Sequence, residues 1–413
     1  MYDVAIIGAG PAGIAAAKLS SKYGLKTILL EKEKKCFGGT CLNTGCIPTK
    51  FFLNSSKINK NWQETIIGKD QLVENIKTPL LKYLENKGVA VQFGETSFID
   101  INTLLVGDNT ISAKNIIIAT GSVPKKITTE KKCIVAEDLF RLSDLPPKVL
   151  IVGGGYIGIE FASMLSRFDR EVTVIEKENR ILPLSDAYFA KRLRIILENG
   201  GIKIHTGKSL SDCNVDDFDI IILAIGRSAQ VKQLKVDNIN LSVCDGGWIK
   251  TDEFLRTNIP NVYACGDITG KKLLAYIGEY QGSICVENIM GKKVGVDYQG
   301  IGECVFSIPQ MASVGILEDE AKTKNIEYRV IKSNFLKYSS AHVYNDTNGF
   351  IEIVMNLKNK IIGAGIISNS ACELISLFSY CIKNNMSLDS LEKCTFIHPT
   401  LSEIIPLLAK EGK

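Results

Sequence analysis

Short apolar runs that close on a glycine or an acid recur along this chain, and two of them open the same pattern. Residues 2–8 (Tyr-Asp-Val-Ala-Ile-Ile-Gly) read as a buried strand, since an unbroken apolar run suits a strand covered on both faces. That run enters Gly8-x-Gly10-x-x-Gly13 and then an alanine-rich helix. Residues 148–153 (Lys-Val-Leu-Ile-Val-Gly) do the same into Gly153-x-Gly155-x-x-Gly158. Each unit is followed by a second strand ending in an acid, at 26–31 (Glu31) and 171–176 (Glu176), and the two copies are offset by 145 residues at every landmark.

The physics of such a unit is specific. Its first glycine allows a tight turn, its second lets backbone approach a pyrophosphate, and its third packs the helix against the strand. The helix N-terminus offers amide donors and partial positive charge to phosphates, and the acid takes a ribose hydroxyl. Further runs at 116–121 and 220–226 are buried strands ending in glycine turns, and 259–267 is a strand ending in Gly266-Asp267. From about residue 300 the pattern changes to alternating strands at 303–306, 327–335, 349–357 and 360–367. A helix follows, opened by the capping box Ser370-x-x-Glu373. Residues 297–413 therefore form a separate α+β domain with two helices near its end.

A chain of 413 residues buries a large core and divides into domains. With 45% hydrophobic and 23% charged residues it is ordinary for a globular protein, and a net charge of +4 is too weak to call for nucleic acid. Runs such as 219–226 are far too short to span a bilayer. The first strand starts at residue 2, which leaves no room for a leader, so cytoplasmic residence is expected. Ten of the twelve cysteines are scattered without framework spacing: Cys36, Cys133, Cys213, Cys244, Cys265, Cys285, Cys304, Cys372, Cys381 and Cys394. They read as small buried hydrophobes in a reducing compartment. No metal site is expected.

The other two cysteines stand in Gly39-Thr-Cys41-Leu-Asn-Thr-Gly-Cys46-Ile-Pro48-Thr-Lys50. A regular helix would separate their Cα atoms by ~8.6 Å, beyond the roughly 7 Å that a disulfide spans. Gly45 and Pro48 can distort that turn, and a bond formed there would be local and reducible. Lys50 is either a surface lysine or, on a helix beginning near Pro48, a cation beside the thiols that favours a thiolate. Of the three histidines, His205 and His342 read as structural and solvated. His398 opens His-Pro399-Thr400-Leu-Ser-Glu403, in which Glu403 can complete a capping box with Thr400 or orient the imidazole as a base. Spacing alone does not choose between the two.

Taken in order, the two fingerprints, Gly-Gly-Thr-Cys-x4-Cys-Ile-Pro, Ala-Thr120-Gly121, Ala-Ile-Gly226-Arg, Gly-Asp267 and His-Pro-Thr-Leu-Ser-Glu resemble the flavin disulfide reductases, most nearly their dihydrolipoyl-oxidising branch. The resemblance covers essentially the whole chain. It implies an α/β fold: two Rossmann-like dinucleotide-binding domains plus a C-terminal α+β dimerisation domain. FAD would be held by residues 1–145 and 247–296, NAD by 146–246, and the dimer interface by 297–413. Carried over, Gly8, Gly10, Gly13 and Glu31 hold FAD, with Lys50, Thr120, Gly121, Ser122, Asp267, Leu273, Leu274, Ala275 and Tyr276. NAD would sit on Gly153, Gly155, Gly158, Glu176 and Gly226, with Glu160 paired to Lys50 near the flavin. Cys41 and Cys46 would form the redox disulfide, Cys46 touching flavin and Cys41 exchanging with substrate. His398 and Glu403 would act in the partner subunit's site of a homodimer.

The implied partner is a lipoyl-bearing protein of a 2-oxoacid dehydrogenase or glycine cleavage complex. A carboxylate at Glu176 repels a 2′-phosphate and so favours NAD. The alternative is an NAD(P)H-dependent reductase of another low-molecular-weight disulfide. A scaffold with vestigial activity is disfavoured by the intact Cys41, Cys46, Lys50, His398 and Glu403. The chain departs from the family in shorter segments at 53–82 and 210–219, in Tyr276 where histidine is common, and in Ser307-Ile308-Pro309 for Thr-His-Pro.

Overall fold

The structure is a computed structural model that describes residues 1–57, 61–127 and 133–411. Its first stretch runs β1 (Tyr2–Ile7), α1 (Pro11–Lys22), β2 (Thr27–Glu31), α2 (Gly39–Asn43), α3 (Cys46–Lys57), α4 (Trp62–Asn86), β3 (Ala90–Phe93), β4 (Thr96–Asp100), β5 (Thr103–Val106), β6 (Asn109–Ile118) and β7 (Val123–Pro124). Then come β8 (Cys133–Val135), β9 (Lys148–Val152), α5 (Tyr156–Ser166), β10 (Glu171–Glu176), α6 (Ala187–Asn199), β11 (Lys203–Thr206), β12 (Ile220–Leu223), β13 (Arg227–Ser228), β14 (Val262–Ala264) and α7 (Ala275–Ile289). The last part holds β15 (Glu303–Val305), β16 (Gln310–Gly315), α8 (Glu318–Thr323), β17 (Arg329–Asn334), α9 (Ser339–Val343), β18 (Phe350–Met355), β19 (Ile361–Ser368), α10 (Ala371–Lys383), α11 (Leu388–Glu392) and α12 (Ile404–Glu411).

Two compact units result. The first joins Met1–Ile127, Glu137–Ser143 and Gly226–Asp297. Its parallel strands β3-β2-β1-β6 carry β14 on β6, and the N-terminal half of β6 turns into the antiparallel meander β6-β5-β4. β1 explains its own apolar run. Val4 and Ile6 face a core with Ala12, Ala16 and Leu29, while Ala5 and Ile7 face another with Ile28, Phe98 and Leu104. A strand covered on both faces has no polar side to alternate with.

The second unit contains Asp144–Ile225, the segment of β8, and the chain from Tyr298. Here β11-β10-β9-β12-β8 form a wholly parallel sheet. The meander of the first unit is replaced between β11 and β12 by two short 3-10 turns, Leu210–Asp212 and Val215–Asp217. The antiparallel sheet β15-β16-β19-β18-β17 packs Ala312, Ile351, Ile353 and Ile366 into one core with Phe378 and Ile382 of α10 and Ile405 and Leu408 of α12. The fold is α/β with two dinucleotide-type parallel sheets and an α+β C-terminal part, as expected.

Four local expectations need correction. β16 was not anticipated, because Gln-Met-Ala-Ser-Val-Gly carries little β-branched signal. Among the described residues three helices, not two, close the chain. The capping box at Ser370 does not form: Ser370 sits at φ −123°, ψ 23° with no side-chain bond to the helix, and its amide donates to the Ser368 hydroxyl. Finally, Cys304 and Cys372, read as inert thiols, are joined in a disulfide with Cα atoms 5.9 Å apart. Folding of the antiparallel sheet brings β15 to the start of α10 across a separation of 68 residues, which no local spacing reveals.

Candidate redox and nucleotide sites

The helix that would have kept Cys41 and Cys46 apart is broken between them. α2 ends at Asn43, Thr44 follows at φ −144°, ψ 3°, and α3 starts on Cys46 itself, two residues before the expected Pro48. Asn43 holds the end of α2 by donating its side-chain amide to the carbonyls of Phe37 and Gly39 at 3.0 and 2.8 Å. Gly45 accepts from both the amide and the hydroxyl of Thr49, at 3.0 and 2.8 Å, which seats the first turn of α3. Across this break the Cys46 side chain, with burial and the nearby Glu279 carboxylate, pushes the Cys41 thiol far up, and the Lys50 cation opposes them only weakly. Cys41 is half-buried and Cys46 exposed at a helix N-terminus, where amide dipoles favour a thiolate.

The same segment lies against the first fingerprint. Gly38 donates its amide to the Ala9 carbonyl at 2.9 Å, and a Cβ on Gly39 would come within 2.7 Å of the Gly10 Cα. The two fingerprints are built alike. Gly8 and Gly153 have φ of 106° and 108°, and a Cβ on either would meet a carbonyl oxygen (Ala119 or Ala224) at 2.4 Å. A Cβ on Gly13 or Gly158 would lie 1.9 Å from the carbonyl oxygen of Gly8 or Gly153. Gly10 and Gly155 cap α1 and α5 without any side-chain bond, which keeps both helix starts open to close backbone approach. Glu31 takes the Ala9 amide at 2.9 Å and Glu176 the Gly154 amide at 2.7 Å, each bridging strand end to glycine turn. Burial raises the Glu31 carboxyl, and its two backbone bonds partly counter this. Both turns fit a dinucleotide: close backbone approach, a helix N-terminus without a side-chain cap and an acid at the second strand.

In the first unit Thr120 and Gly121 follow β6, and Ser122 donates to the Asp267 carboxylate at 2.6 Å. Burial raises Asp267, opposed by that bond and by Arg227. Arg227 donates through Nε to the Ser122 hydroxyl at 2.7 Å and through Nη2 to the Ser122 carbonyl at 2.8 Å. Its Nη1 pairs with Glu137 at 2.6 Å. Leu273 and Leu274 precede α7, which opens on Ala275 and Tyr276 with no side-chain cap. Gly226 passes its carbonyl to the Lys125 amide at 3.0 Å, continuing the β7–β13 pairing.

In the second unit Glu160 accepts the Phe306 amide at 3.0 Å, and Tyr156 at the start of α5 donates to Glu303 at 2.9 Å. His398 Nδ1 meets Glu403 Oε2 at 2.8 Å. Thr400 caps nothing and donates to the Ile397 carbonyl instead, so the carboxylate is committed to the ring and not to a helix end. Glu403 is buried while the His398 side chain is 72% exposed, which fixes one edge of the ring and turns Nε2 outward. Glu137, Arg227 and Glu279 join these groups without a role that the sequence alone implies. Arg227 directly follows Gly226 in a recognisable motif, but Glu137 and Glu279 carry no local signal.

Thiol pair, two glycine cradles and braced imidazole define a flavin-dependent disulfide oxidoreductase. Residues 2–282 match the pyridine nucleotide-disulphide oxidoreductase family and residues 301–409 match its dimerisation domain, so the chain belongs to this family. It is 31% identical to the dihydrolipoyl dehydrogenase of Chlamydia muridarum, covering 98% of this chain and 95% of that one. The Bacillus subtilis dihydrolipoyl dehydrogenase is 30% identical, with 97% and 94% covered. Among solved structures it is similar to the HOCl-induced flavoprotein disulfide reductase RclA of Escherichia coli, in its Cu(II) complex, with a TM-score of 0.93 at 26% identity over 100% of this chain and 99% of that one. Its cofactors are FAD and NAD(H), and the dimerisation domain supports a homodimer. Among the described residues no helix is long and apolar enough to cross a membrane.

Proposed function

We propose that this chain oxidises a dihydrolipoyl dithiol to the lipoyl disulfide and reduces NAD+ to NADH. In this reading 1–145 and 247–296 hold FAD through Gly8, Gly10, Gly13, Glu31, Ser122 and Asp267. Residues 146–246 hold NAD through Gly153, Gly155, Gly158 and Glu176, and 297–413 form the dimer interface. The observation that carries it is the broken helix that sets Cys41, in α2, against Cys46, the first residue of α3, a pair able to open and close in turnover. Similarity to dihydrolipoyl dehydrogenases along nearly the whole chain supports the lipoyl substrate, and the Glu176 carboxylate supports NAD.

With Cys41 and Cys46 oxidised, a substrate thiolate attacks the Cys41 sulfur and displaces Cys46 as a thiolate. His398 takes the substrate's thiol proton at Nε2, held in orientation by Glu403. The second substrate thiol closes the lipoyl ring and releases Cys41, which takes up that thiol's proton; burial favours Cys41 in its protonated form. Lys50 and the start of α3 steady the Cys46 thiolate. Bound FAD supplies the two-electron step between that thiolate and the nicotinamide. The partner is a lipoyl-bearing protein of a 2-oxoacid dehydrogenase or glycine cleavage complex.

Purified protein should be yellow and turn over dihydrolipoamide with NAD+ far faster than glutathione disulfide with NADPH. Cys46→Ser should abolish the first reaction while keeping the flavin. A colourless protein that cannot be loaded with flavin, a Cys46→Ser variant of normal rate, or a preference for glutathione disulfide overturns the proposal.

A further inference from the structure

The Cys304–Cys372 disulfide lies outside the thiol pair, and the elements it joins lead to the second fingerprint. Cys304 is the middle residue of β15, the edge strand of the antiparallel sheet, and Cys372 is the second residue of α10. The start of α10 is tied to the sheet once more, where the Cys372 amide donates to Gln310 of β16 at 3.0 Å. The residues flanking Cys304 hold α5. Glu303 accepts from the Tyr156 hydroxyl at 2.9 Å, and the Phe306 amide donates to Glu160 at 3.0 Å. Tyr156 follows Gly155 directly, and Glu160 stands two residues beyond Gly158. The strand end that carries the disulfide is thus hydrogen-bonded to the first two turns of the helix of the second nucleotide cradle. Both cysteines are half-buried.

We infer that Cys304–Cys372 is a second thiol–disulfide exchange site, open to low-molecular-weight thiols, whose redox state sets affinity at the second fingerprint. A thiolate attacks the Cys304 sulfur, and Cys372 leaves as a thiolate favoured by its place in the first turn of a 13-residue helix. A second thiol then attacks the mixed disulfide and frees Cys304. Two thiols become one disulfide, and one protein disulfide becomes two thiols. Without the covalent tie, β15 is an edge strand paired on one side only, and Glu303 and Phe306 hold Tyr156 and Glu160 less firmly. Cys41, Cys46 and the first fingerprint belong to the other compact unit.

The test equilibrates holoenzyme in mixtures of 2-mercaptoethanol and its disulfide, alkylates it, and maps the Cys304 and Cys372 peptides by mass spectrometry. KM for the nicotinamide nucleotide and kcat are measured on the same samples. The linked fraction should follow the thiol-to-disulfide ratio. On reduction KM should rise roughly 2- to 10-fold, the range one net hydrogen bond covers, with kcat little changed. A Cys304→Ala, Cys372→Ala double variant should sit at the reduced KM in every mixture, which separates this site from Cys41 and Cys46. Wild-type protein alone decides the matter if that variant does not fold. Two independently alkylating thiols in the absence of reductant, or a linkage that titrates while KM stays fixed, overturns the inference.

Discussion

His398 shows how one hydrogen bond changes the reading of a residue. A Thr-x-x-Glu spacing is satisfied equally by a capping box and by a histidine–carboxylate pair, and only the folded chain spends the Glu403 carboxylate on the ring at 2.8 Å. If the exposed imidazole removes a thiol proton, His398→Gln should lower kcat with dihydrolipoamide by about 10²- to 10⁴-fold, the usual worth of a positioned base. Its residual rate should climb with pH, because rising pH supplies by direct ionisation the substrate thiolate that the base otherwise makes. Glu403→Gln keeps a hydrogen-bonding group but removes the charge, so its loss should be smaller. Stopped-flow rates across pH 6–9 check both; a His398→Gln profile parallel to wild type would deny it the role of base.

At the level of elements, the two fingerprints are near copies, so the same substitution should fail differently in each. A Cβ at Gly13 or Gly158 would overlap a carbonyl oxygen at 1.9 Å, which forces helix and strand apart. Gly13→Ala should purify with little flavin, whereas Gly158→Ala should keep its flavin and lose nicotinamide binding, seen as full flavin absorbance with a greatly raised KM for NAD+. The reverse pattern would exchange the two cofactor assignments. These elements were legible in the sequence because their chemistry is local: strand, turn glycines, helix and acid lie within about thirty residues. The break between α2 and α3 was also readable, since Gly45 and Pro48 announce it. What stayed hidden was set by long-range pairing. Cys304 meets Cys372 only once β15, β16 and β19 have paired, and Arg227 finds Glu137 and Ser122 across 90 and 105 residues. β16 belongs with them: its place is fixed by pairing with β15 and the distant β19, and it carries no strong propensity of its own.

On the scale of the whole molecule, the matched dimerisation domain gives the proposed base a particular test. The reading in which His398 and Glu403 serve the thiol pair of the other subunit predicts that two inactive variants can repair each other. A Cys46→Ser homodimer has no working sulfur pair, and a His398→Gln homodimer has no base. In a dimer holding one chain of each kind, one site combines both defects and the other combines an intact sulfur pair with an intact imidazole. Differently tagged chains, co-expressed and purified through both tags, should then recover about half the wild-type rate per dimer, and an untagged one-to-one mixture about a quarter. If His398 instead serves the cysteines of its own chain, each subunit of the mixed dimer carries one defect and activity stays at the level of the parents. Full flavin content in both parents and in the mixed dimer makes the comparison one of chemistry and not of folding. The result depends only on which chain supplies the imidazole, so it separates the two arrangements whichever lipoyl-bearing protein is the partner.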